Sequence, residues 1–342
     1  RKALSLKADY PEALANLVHC LAMVCDWSSR EEDHRRLLNT LSEQVAAALG
    51  VGSSSGGAGG AGGAGETKGG DDDEHTPVEK AAAAGASVTL SQPVRPSVQP
   101  FHALVYNMSV VQQRQLAECY ARRALLSVAL LDLPSFRFRA KRPQQRLRIG
   151  YVSANFGNHP VSHLMQSVFS MHDSDAFEVF CYALTADDQS HWRRNIEAGS
   201  EHFKDLSRLQ TGDAARLIYG DGIHILINLN GYTKGARNEI FALQPAPIQA
   251  QFLGFPGTMG AEFLPYIIAD NVVCPAELRD GYSEKVVALP HTFMPTDHKQ
   301  SARDVLDPDK CPTRSDYGVP EDKFVFACFT QLVKIDPDTF DC

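Results

Sequence analysis

The stretch that decides the fold is residues 147–160, which read LRIGYVSANFGNHP. Residues 147–153 are rich in apolar, β-branched and aromatic side chains, and small or polar residues follow them. A short run bounded in this way predicts a buried strand that ends in a loop. Pro160 then fits the first position of a helix, since the N–H that proline lacks has no partner there. The stretch therefore predicts a strand, a loop and a helix in succession.

Further apolar runs of the same character follow along the chain. They lie at 177–184, 224–230, 248–255 and 266–270, and helical windows separate several of them. This alternation predicts a parallel sheet covered by helices, the α/β class. The run 324–329 predicts another buried strand, with which a second α/β domain would begin.

The composition narrows the class of protein. The chain has 342 residues, of which 44% are hydrophobic and 22% are charged, so it is long enough for two globular domains. Its formal charge of -8 argues against a broad nucleic-acid or anionic-membrane surface, which needs an excess of Lys and Arg. No apolar run approaches the roughly 20 residues of a membrane-spanning helix. We therefore expect neither nucleic acid nor membrane among the partners.

The cysteines and one basic run bear on the cellular compartment. Eight cysteines are scattered without a CxxC pair, at Cys20, Cys25, Cys119, Cys181, Cys274, Cys311, Cys328 and Cys342. That pattern is typical of reduced structural thiols in an intracellular protein. The basic run 137–148 is either a solvated linker face or a signal for nuclear import or for docking of an acidic partner.

The chain divides into segments of different character. Residues 1–27 carry apolar side chains at helical spacing, and the sequence DYPEA at 9–13 resembles the end of a tetratricopeptide repeat, with an ordinary amphipathic helix as the alternative. One such repeat cannot bury its apolar face alone, so we expect further repeats before Arg1. We predict a repeat end at 1–27, a helix at 28–49, a disordered low-complexity insert at 50–100, a helical linker at 101–145, a Rossmann-like domain at 146–297, and a connector with the start of a second such domain at 298–342.

Ligands of parallel sheets bind beyond the carboxyl ends of the strands, where the connecting loops gather. The first loop, 154–160, contains His159, which can accept a proton from an alcohol near neutral pH. Its alternative role is to cap the following helix. His163 stands four residues later, a spacing that suits a metal, but the glutamate of a zincin and a third ligand are lacking. We therefore predict no metal.

Two more loops and one later pair of residues are candidates for ligand binding. The loop 231–238 contains Tyr232 and Lys234 and suits a phosphate or a peptide backbone, although a solvated turn is the alternative; His224 before it is interpreted as a core histidine. The loop 253–260 contains Pro256, Gly257 and Thr258, which allow a ligand close to the backbone unless the loop is only a tight turn; it lacks the GxGxxG of dinucleotide sites. Gln331 and Lys334, three residues apart, fit a base or ribose edge and a diphosphate.

Taken in order, these loops resemble the O-linked N-acetylglucosamine transferases of nucleus and cytoplasm, especially the plant-type members. The stretches that carry the resemblance are 147–173, 177–184, 221–258, 282–291 and 314–337. The resemblance implies an inverting, metal-independent glycosyltransferase of the GT-B type, with UDP-N-acetylglucosamine bound between two domains and repeats that grip protein substrates. It implies that His159 is the proposed catalytic base and that Gln331 and Lys334 belong to the UDP site, although a donor phosphate could take the proton instead.

The sequence also departs from the family. Thr330 stands where the family usually has Asn, the insert at 50–100 is unexpected, and the long insertion of animal members is absent. The second catalytic domain is expected to be incomplete, so we expect this chain to be inactive by itself. The alternatives are a protein O-fucosyltransferase that uses GDP-fucose, and a non-catalytic repeat scaffold.

Overall fold

The fold is built on a seven-stranded parallel sheet. The computed structural model describes residues 1–50, 95–139 and 145–341. The strands are β1 Leu147–Ser153, β2 Phe177–Ala183, β3 His202–Asp205, β4 Ile225–Asn228, β5 Ile248–Phe252, β6 Tyr266–Ala269 and β7 Lys285–Ala288. Their order in the sheet is β3-β2-β1-β4-β5-β6-β7, and every neighbouring pair is parallel. The predicted α/β class is therefore confirmed.

The strands that the sequence predicted from 147 to 270 are present, and two further strands were missed. The strand β1 has the predicted bounds, whereas β4 and β5 end two or three residues earlier than predicted. The missed strands are β3 and β7, the two edges of the sheet. Each has only four residues, and each is largely exposed or half-buried. Edge strands of this kind lack the apolar run that marks a central strand.

Helices cover both faces of the sheet. The helices are Lys2–Leu6, Pro11–Met23, Arg30–Leu49, Pro100–Ala103, Val110–Ala129, Pro160–Met165, His191–Gly199, Thr211–Gly220, Asn238–Ala242, His298–Ser301 and Pro337–Phe340, with short 3-10 turns at Phe169–Met171, Ala276–Gly281, Arg303–Leu306, Ser315–Tyr317 and Leu332–Lys334. One face of the sheet packs around Phe156, Met165 and Ile196. The other face packs around Phe180 and Leu226 together with the helix Val110–Ala129. This two-sided burial explains why the central strands are continuous apolar runs.

The helix Val110–Ala129 is sandwiched between the sheet and the N-terminal helices. It starts at a capping box in which Ser109 and Gln112 satisfy each other's backbone N–H groups. Ala117 and Ala121 pack on the sheet side, while Leu116 packs with the N-terminal helices. The predicted helical linker at 101–145 is therefore corrected. Residues 110–129 are part of the core of the sheet domain.

The N-terminal helices pack on the other side of this helix. Leu14, Val18, Leu37 and Leu41 are buried in one cluster with Leu116. Their origin as the end of a tetratricopeptide repeat stays a prediction, since the two longer helices form one pair only. The chain has no described helix long and apolar enough to cross a membrane.

The predicted insert at 50–100 lies mostly outside the described residues, which omit 51–94. Its last residues, 95–100, are packed, which corrects the prediction of disorder there. Val98 is buried, and the backbone N–H of Ser97 donates to Gln44 Oε1 at 2.9 Å. The hydroxyl of Tyr120 lies 3.1 Å from the carbonyl oxygens of both Pro96 and Val98.

The predicted strand at 324–329 is wrong. Residues 325–329 have no regular secondary structure, and Phe326 is 91% exposed. A strand is buried only when other strands pair with it and cover its faces, and none of the described strands does so here. The seven cysteines in the described residues are free, and their reduced state in the cell stays a prediction.

Candidate functional site

The candidate site lies where the strand order reverses. The chain leaves β1 toward β2 on one side and later returns to place β4 on the other side of β1. Loops after such neighbouring strands diverge and leave a crevice, which is where parallel sheets bind ligands. The loops concerned are 154–160 after β1 and 229–238 after β4. The backbone N–H of Ala154 donates to Asn230 Oδ1 at 2.6 Å, so one hydrogen bond ties the two loops together.

His159 is half-buried and begins the helix Pro160–Met165 as its N-cap. Its Nδ1 accepts from the backbone N–H of Val161 at 3.2 Å. Burial, followed by the charge of His163, lowers the pKa of His159 below its ordinary value. The imidazole is therefore neutral at pH 7. Because Nδ1 uses its lone pair in the cap, the proton of this neutral ring lies on Nε2.

The cap and a proton-accepting role are therefore competing roles for His159. In the tautomer in which Nδ1 caps the helix, Nε2 carries the proton and can only donate a hydrogen bond. General-base action at Nε2 needs the proton on Nδ1, and then the bond from Val161 N–H must open. The two interpretations that the sequence left open thus correspond to two tautomers of one ring.

His163 has its own partners within the site. Its Nε2 lies 3.1 Å from Asn158 Oδ1, and its ring lies 4.3 Å from the ring of Trp192. The described residues place no third ligand beside His159 and His163; their one cluster with metal-ligand spacing is Glu178, Glu201 and His202.

That cluster is an ion-pair network. Arg146 forms two hydrogen bonds to Glu201, at 2.7 and 2.9 Å, and Arg148 pairs with Glu178 at 2.9 Å. The two guanidinium groups neutralise the two carboxylates, so a cation would have to displace them. The cluster also includes the start of β3 and the second residue of β2, whereas the candidate site lies beyond the opposite ends of the strands.

Three asparagines that the sequence analysis did not single out shape the second loop. Asn228 Oδ1 accepts from the backbone N–H groups of Asn230 and Gly231, and Asn228 Nδ2 donates to Asn238 Oδ1. Asn238 Nδ2 in turn donates to the carbonyl oxygen of Gly231. Asparagine suits such positions because one amide both donates and accepts toward a tight backbone turn. The sequence signal for this arrangement was the pattern NLN at 228–230, followed by Asn238.

The structure corrects the prediction that the side chain of Tyr232 binds substrate. Its ring is buried between Tyr120 and Phe255. Its hydroxyl lies 2.7 Å from the carbonyl oxygen of Met259 and 3.1 Å from that of Ala117. Tyr232 therefore joins the second loop, the third loop and the helix Val110–Ala129, and its buried hydroxyl shares its one proton between these two carbonyl groups.

Lys234 keeps the features of a ligand-binding residue. Its side chain is exposed and forms no ion pair with the described part of the chain. The adjacent Gly235 has φ +83°, and a Cβ there would lie 2.9 Å from the Cβ of Ala154. The tip of the second loop thus folds onto the first loop, so Lys234 and His159 lie on loops at the same edge of the sheet. His224, by contrast, is half-buried and its Nδ1 accepts from the N–H of Arg148 at 3.0 Å, as expected of a histidine with a structural role.

The third loop passes close to the second loop. Leu253 adopts a left-handed conformation with φ 62°, which is unfavourable for a leucine. At Gly254 a Cβ would clash with the carbonyl oxygen of Leu229, so only glycine fits. Pro256 is exposed, whereas Gly257 is buried against Phe255. Pro256 is therefore accessible to a ligand.

Thr258 is also corrected as a ligand-binding side chain. Its hydroxyl donates to Glu284 Oε2 at 2.7 Å and accepts from the N–H groups of Gly260 and Ser283 at 3.1 Å. Glu284 Oε1 accepts from the N–H of Met259 at 2.6 Å. Burial raises the pKa of Glu284, although these hydrogen bonds oppose the rise. Thr258 and Glu284 thus form an internal brace for the third loop.

Gln331 and Lys334 are not brought to this crevice. Both are exposed, at the ends of the short turn Leu332–Lys334, which packs against the helix Pro11–Met23. The following Asp336 pairs with Arg30 at 3.6 Å. Their role in binding a nucleotide stays a prediction.

The loops at this edge of the sheet thus carry a neutral imidazole, an exposed ammonium group and the exposed Pro256. A parallel sheet with such loops at its switch point is typical of enzymes that bind nucleotides or their sugar derivatives. The sequence model of glycosyl transferase family 41 matches residues 87–310, which is more than half of the 342 residues. The chain belongs to this family.

Curated relatives agree with this assignment. The probable UDP-N-acetylglucosamine–peptide N-acetylglucosaminyltransferase SEC of Arabidopsis thaliana is 51% identical over 255 residues, which cover 73% of this chain and 26% of the relative. The UDP-N-acetylglucosamine–peptide N-acetylglucosaminyltransferase of Caenorhabditis elegans is 49% identical over 219 residues, which cover 62% of this chain and 19% of the relative. The chain therefore spans about a quarter or less of the length of these relatives.

A solved structure has the same fold. A mutant of the O-GlcNAc transferase of Thermobaculum terrenum aligns with a TM-score of 0.56 and 23% sequence identity, covering 99% of this chain and 60% of that chain. At this identity the similarity speaks for the fold. The predicted Rossmann-like fold of the GT-B type is confirmed, and the resemblance stated from the sequence is confirmed by the family and its relatives.

Proposed function

We propose that the protein to which this chain belongs transfers N-acetylglucosamine from UDP-N-acetylglucosamine to Ser and Thr hydroxyls of other proteins, with inversion and without a metal. The observation that carries the proposal is the neutral His159 at the switch point of a family 41 sheet. The names of the Arabidopsis and Caenorhabditis relatives support the donor and the peptide acceptor.

His159 acts on the reacting hydroxyl through Nε2. In one tautomer Nε2–H donates to an oxygen of the substrate and Nδ1 remains the helix cap. In the other tautomer Nε2 accepts the hydroxyl proton as the oxygen attacks the anomeric carbon and the bond to the UDP oxygen breaks. That second role requires the bond from Val161 N–H to open when substrate binds.

The remaining groups serve binding. Lys234 has an exposed ammonium group for a phosphate or for an acceptor peptide, and the exposed Pro256 offers a surface that a ligand can contact, with Gly257 behind it. Gln331 and Lys334 contribute to the UDP site once the crevice is completed by the rest of the protein. The division of the chain into repeat end, sheet domain and start of a second catalytic domain belongs to the same proposal.

Protein acceptors are held by the repeats, and the protein works in nucleus and cytoplasm. The scattered cysteines, without a CxxC pair, support a reducing compartment. Neither nucleic acid nor membrane is needed for the reaction.

The test measures transfer of radiolabelled sugar to an acceptor peptide. We would compare this chain with a chimaera that continues into the region that follows the matched segment in the Arabidopsis relative, using UDP-N-acetylglucosamine and GDP-fucose as competing donors. Transfer from UDP-N-acetylglucosamine, lost in His159→Ala, is expected. Transfer from GDP-fucose only, or none by a folded chimaera, would overturn the donor assignment.

The pH profile separates the two roles of His159. If Nε2 accepts the proton, kcat falls as the pH decreases through the pKa of His159, because the protonated ring cannot accept. If Nε2–H only donates, that acidic limb is absent. A Lys234→Ala variant serves as the comparison, since it should raise KM and leave the shape of the profile unchanged.

A further inference from the structure

The segment that follows β2 holds the loop that carries His159 in place by two hydrogen bonds. Asp188 Oδ2 accepts from the backbone N–H of Asn158 at 2.6 Å. Arg193 Nη1 donates to the carbonyl oxygen of Phe156 at 3.3 Å. These two bonds reach the residues directly before and after Gly157, and neither was visible as a motif in the sequence.

The carboxylate of Asp188 is itself held in place. Its Oδ1 accepts from the N–H of Ser190 at 3.0 Å, while Gln189 between them has a left-handed φ of 59°. Partial burial raises the pKa of Asp188, but the hydrogen bonds from Asn158 and Ser190 outweigh it and keep the pKa below its ordinary value. Asp188 is therefore ionised at neutral pH, and an ionised acceptor makes the stronger kind of hydrogen bond.

Gly157 shows how closely the two segments fit. A Cβ at this position would clash with Asp188 Oδ2, so the absence of a side chain lets the carboxylate reach the N–H of Asn158. The same turn continues directly into His159, whose N–H donates to the carbonyl oxygen of Gly157 at 2.8 Å. A displacement of the turn would therefore move the backbone of His159 and alter its cap on Val161.

Arg193 supports the same turn from the interior. It is 2% exposed, its Nε donates to Glu197 at 2.7 Å, and its guanidinium lies 4.4 Å from the centre of the Phe203 ring. Its position is therefore fixed by the core, whereas Asp188 is exposed and can be changed without removing core contacts.

We propose that Asp188 is a positioning residue for His159: its carboxylate fixes the 156–159 turn, and with it the tautomer and direction of the imidazole. The part of this inference that concerns catalysis rests on the proposed function. The part that concerns the imidazole is a property of this chain and can be measured without any donor.

The first test is NMR of the 342-residue chain with labelled histidine, with the His159 signals assigned through His159→Gln. In Asp188→Ala we expect the Nδ1/Nε2 tautomer ratio of His159 to change and the amide of Asn158 to exchange faster, because the carboxylate no longer holds the turn. Asp187→Ala is the matched control, because Asp187 bonds the N–H of Gln189 within its own turn and no residue of the 156–159 turn. Unchanged His159 signals in Asp188→Ala, or equal changes in both variants, would overturn the proposal.

The second test uses the transfer assay on the chain or chimaera that proves active. Asp188→Ala should lower kcat by about tenfold to 100-fold, as small misplacements of catalytic groups do, with KM for the donor unchanged. Asp188→Asn, which keeps an oxygen acceptor, should restore most of the loss. Gly157→Ala should lower kcat about as much as Asp188→Ala does. The double variant should lower kcat little further, because each single variant already breaks the hydrogen bond between Asp188 and Asn158. A loss equal for Asp188→Ala and Asp187→Ala would overturn positioning.

The two proposals fail in different ways. If the His159 signals respond to Asp188 but a folded chimaera transfers no sugar, the proposed function is wrong and the positioning stands. If transfer occurs and neither kcat nor the His159 signals respond to Asp188, the function stands and the positioning is wrong.

Discussion

Residues 147–153 and 324–329 are both short apolar runs, yet only one of them forms a strand. The first run lies between β2 and β4, where Tyr151 and Val152 are buried on opposite faces of the sheet. The second run has no strand beside it in the described chain, and Phe326 and Phe329 are 91% and 98% exposed. Apolar side chains alone therefore do not make a strand. Neighbours must satisfy its backbone and cover its faces.

The largest expected difference between these regions is in how much a Phe→Ala substitution lowers the free energy of unfolding. Phe180→Ala, in β2, removes a ring that is 4% exposed and should cost about 3–5 kcal/mol. Phe326→Ala removes the same ring from the surface and should change stability by no more than about 0.5 kcal/mol. Urea unfolding followed by circular dichroism measures both. Similar costs at the two positions would show that 324–329 is buried after all.

Two tyrosines, the buried Tyr232 and the exposed Tyr317, allow the same comparison for the loss of a hydroxyl group. Tyr232→Phe removes the donor that two buried carbonyl groups share and should cost about 1–3 kcal/mol, because those groups lose their partner. Tyr317→Phe, at a ring that is 75% exposed, should have no measurable effect. The measurement is the shift in urea midpoint at constant slope. A neutral Tyr232→Phe would mean that water replaces the hydroxyl.

Helix caps should differ in the same direction. Ser109→Ala breaks the capping box of the 20-residue helix Val110–Ala129 and should cost about 1 kcal/mol. Asp336→Ala removes the cap of the four-residue helix Pro337–Phe340 and a solvent-screened ion pair with Arg30, and should cost less than Ser109→Ala does. Thermal unfolding of the two variants, with Ser127→Ala as a control at the end of the long helix, tests the order.

The smallest effect concerns pH. Burial lowers the pKa of His172, so the unfolded chain binds its proton more readily than the folded chain does. Stability from this group is complete above the unfolded pKa of about 6.5 and is lost as pH decreases from there toward the folded pKa. The segment 302–342 contains no histidine and lacks this dependence. In His172→Gln, unfolding free energies at pH 7.5 and 5.5 should differ less than in the wild type; an equal or larger difference would contradict the assignment.

The sequence predicted those features that depend on nearby residues. The central strands and the loops after them follow from apolar runs and their boundaries, so β1 and the position of His159 were found. The edge strands β3 and β7 were missed because their exposed, partly polar residues do not form such runs.

Features that depend on distant partners were predicted wrongly or not at all. The hydroxyl of Tyr232 is satisfied by Ala117, 115 residues away, and that of Thr258 by Glu284, 26 residues away. Both were predicted to bind substrate because a polar side chain in a glycine-rich loop has no visible partner in the sequence. The hold of Asp188 on Asn158 is likewise a contact over 30 residues.

The sandwiched helix Val110–Ala129 bears on how this gene can be cut for expression. A fragment that starts at Arg146 would contain the strands of the sheet domain. It would nevertheless lack Ala117, Ala121 and Ala124, so the core side chains that pack against them would be exposed to water. Such a fragment should be recovered in inclusion bodies. The family match begins at residue 87, ahead of this helix, as expected if the helix and the sheet have been inherited as one piece.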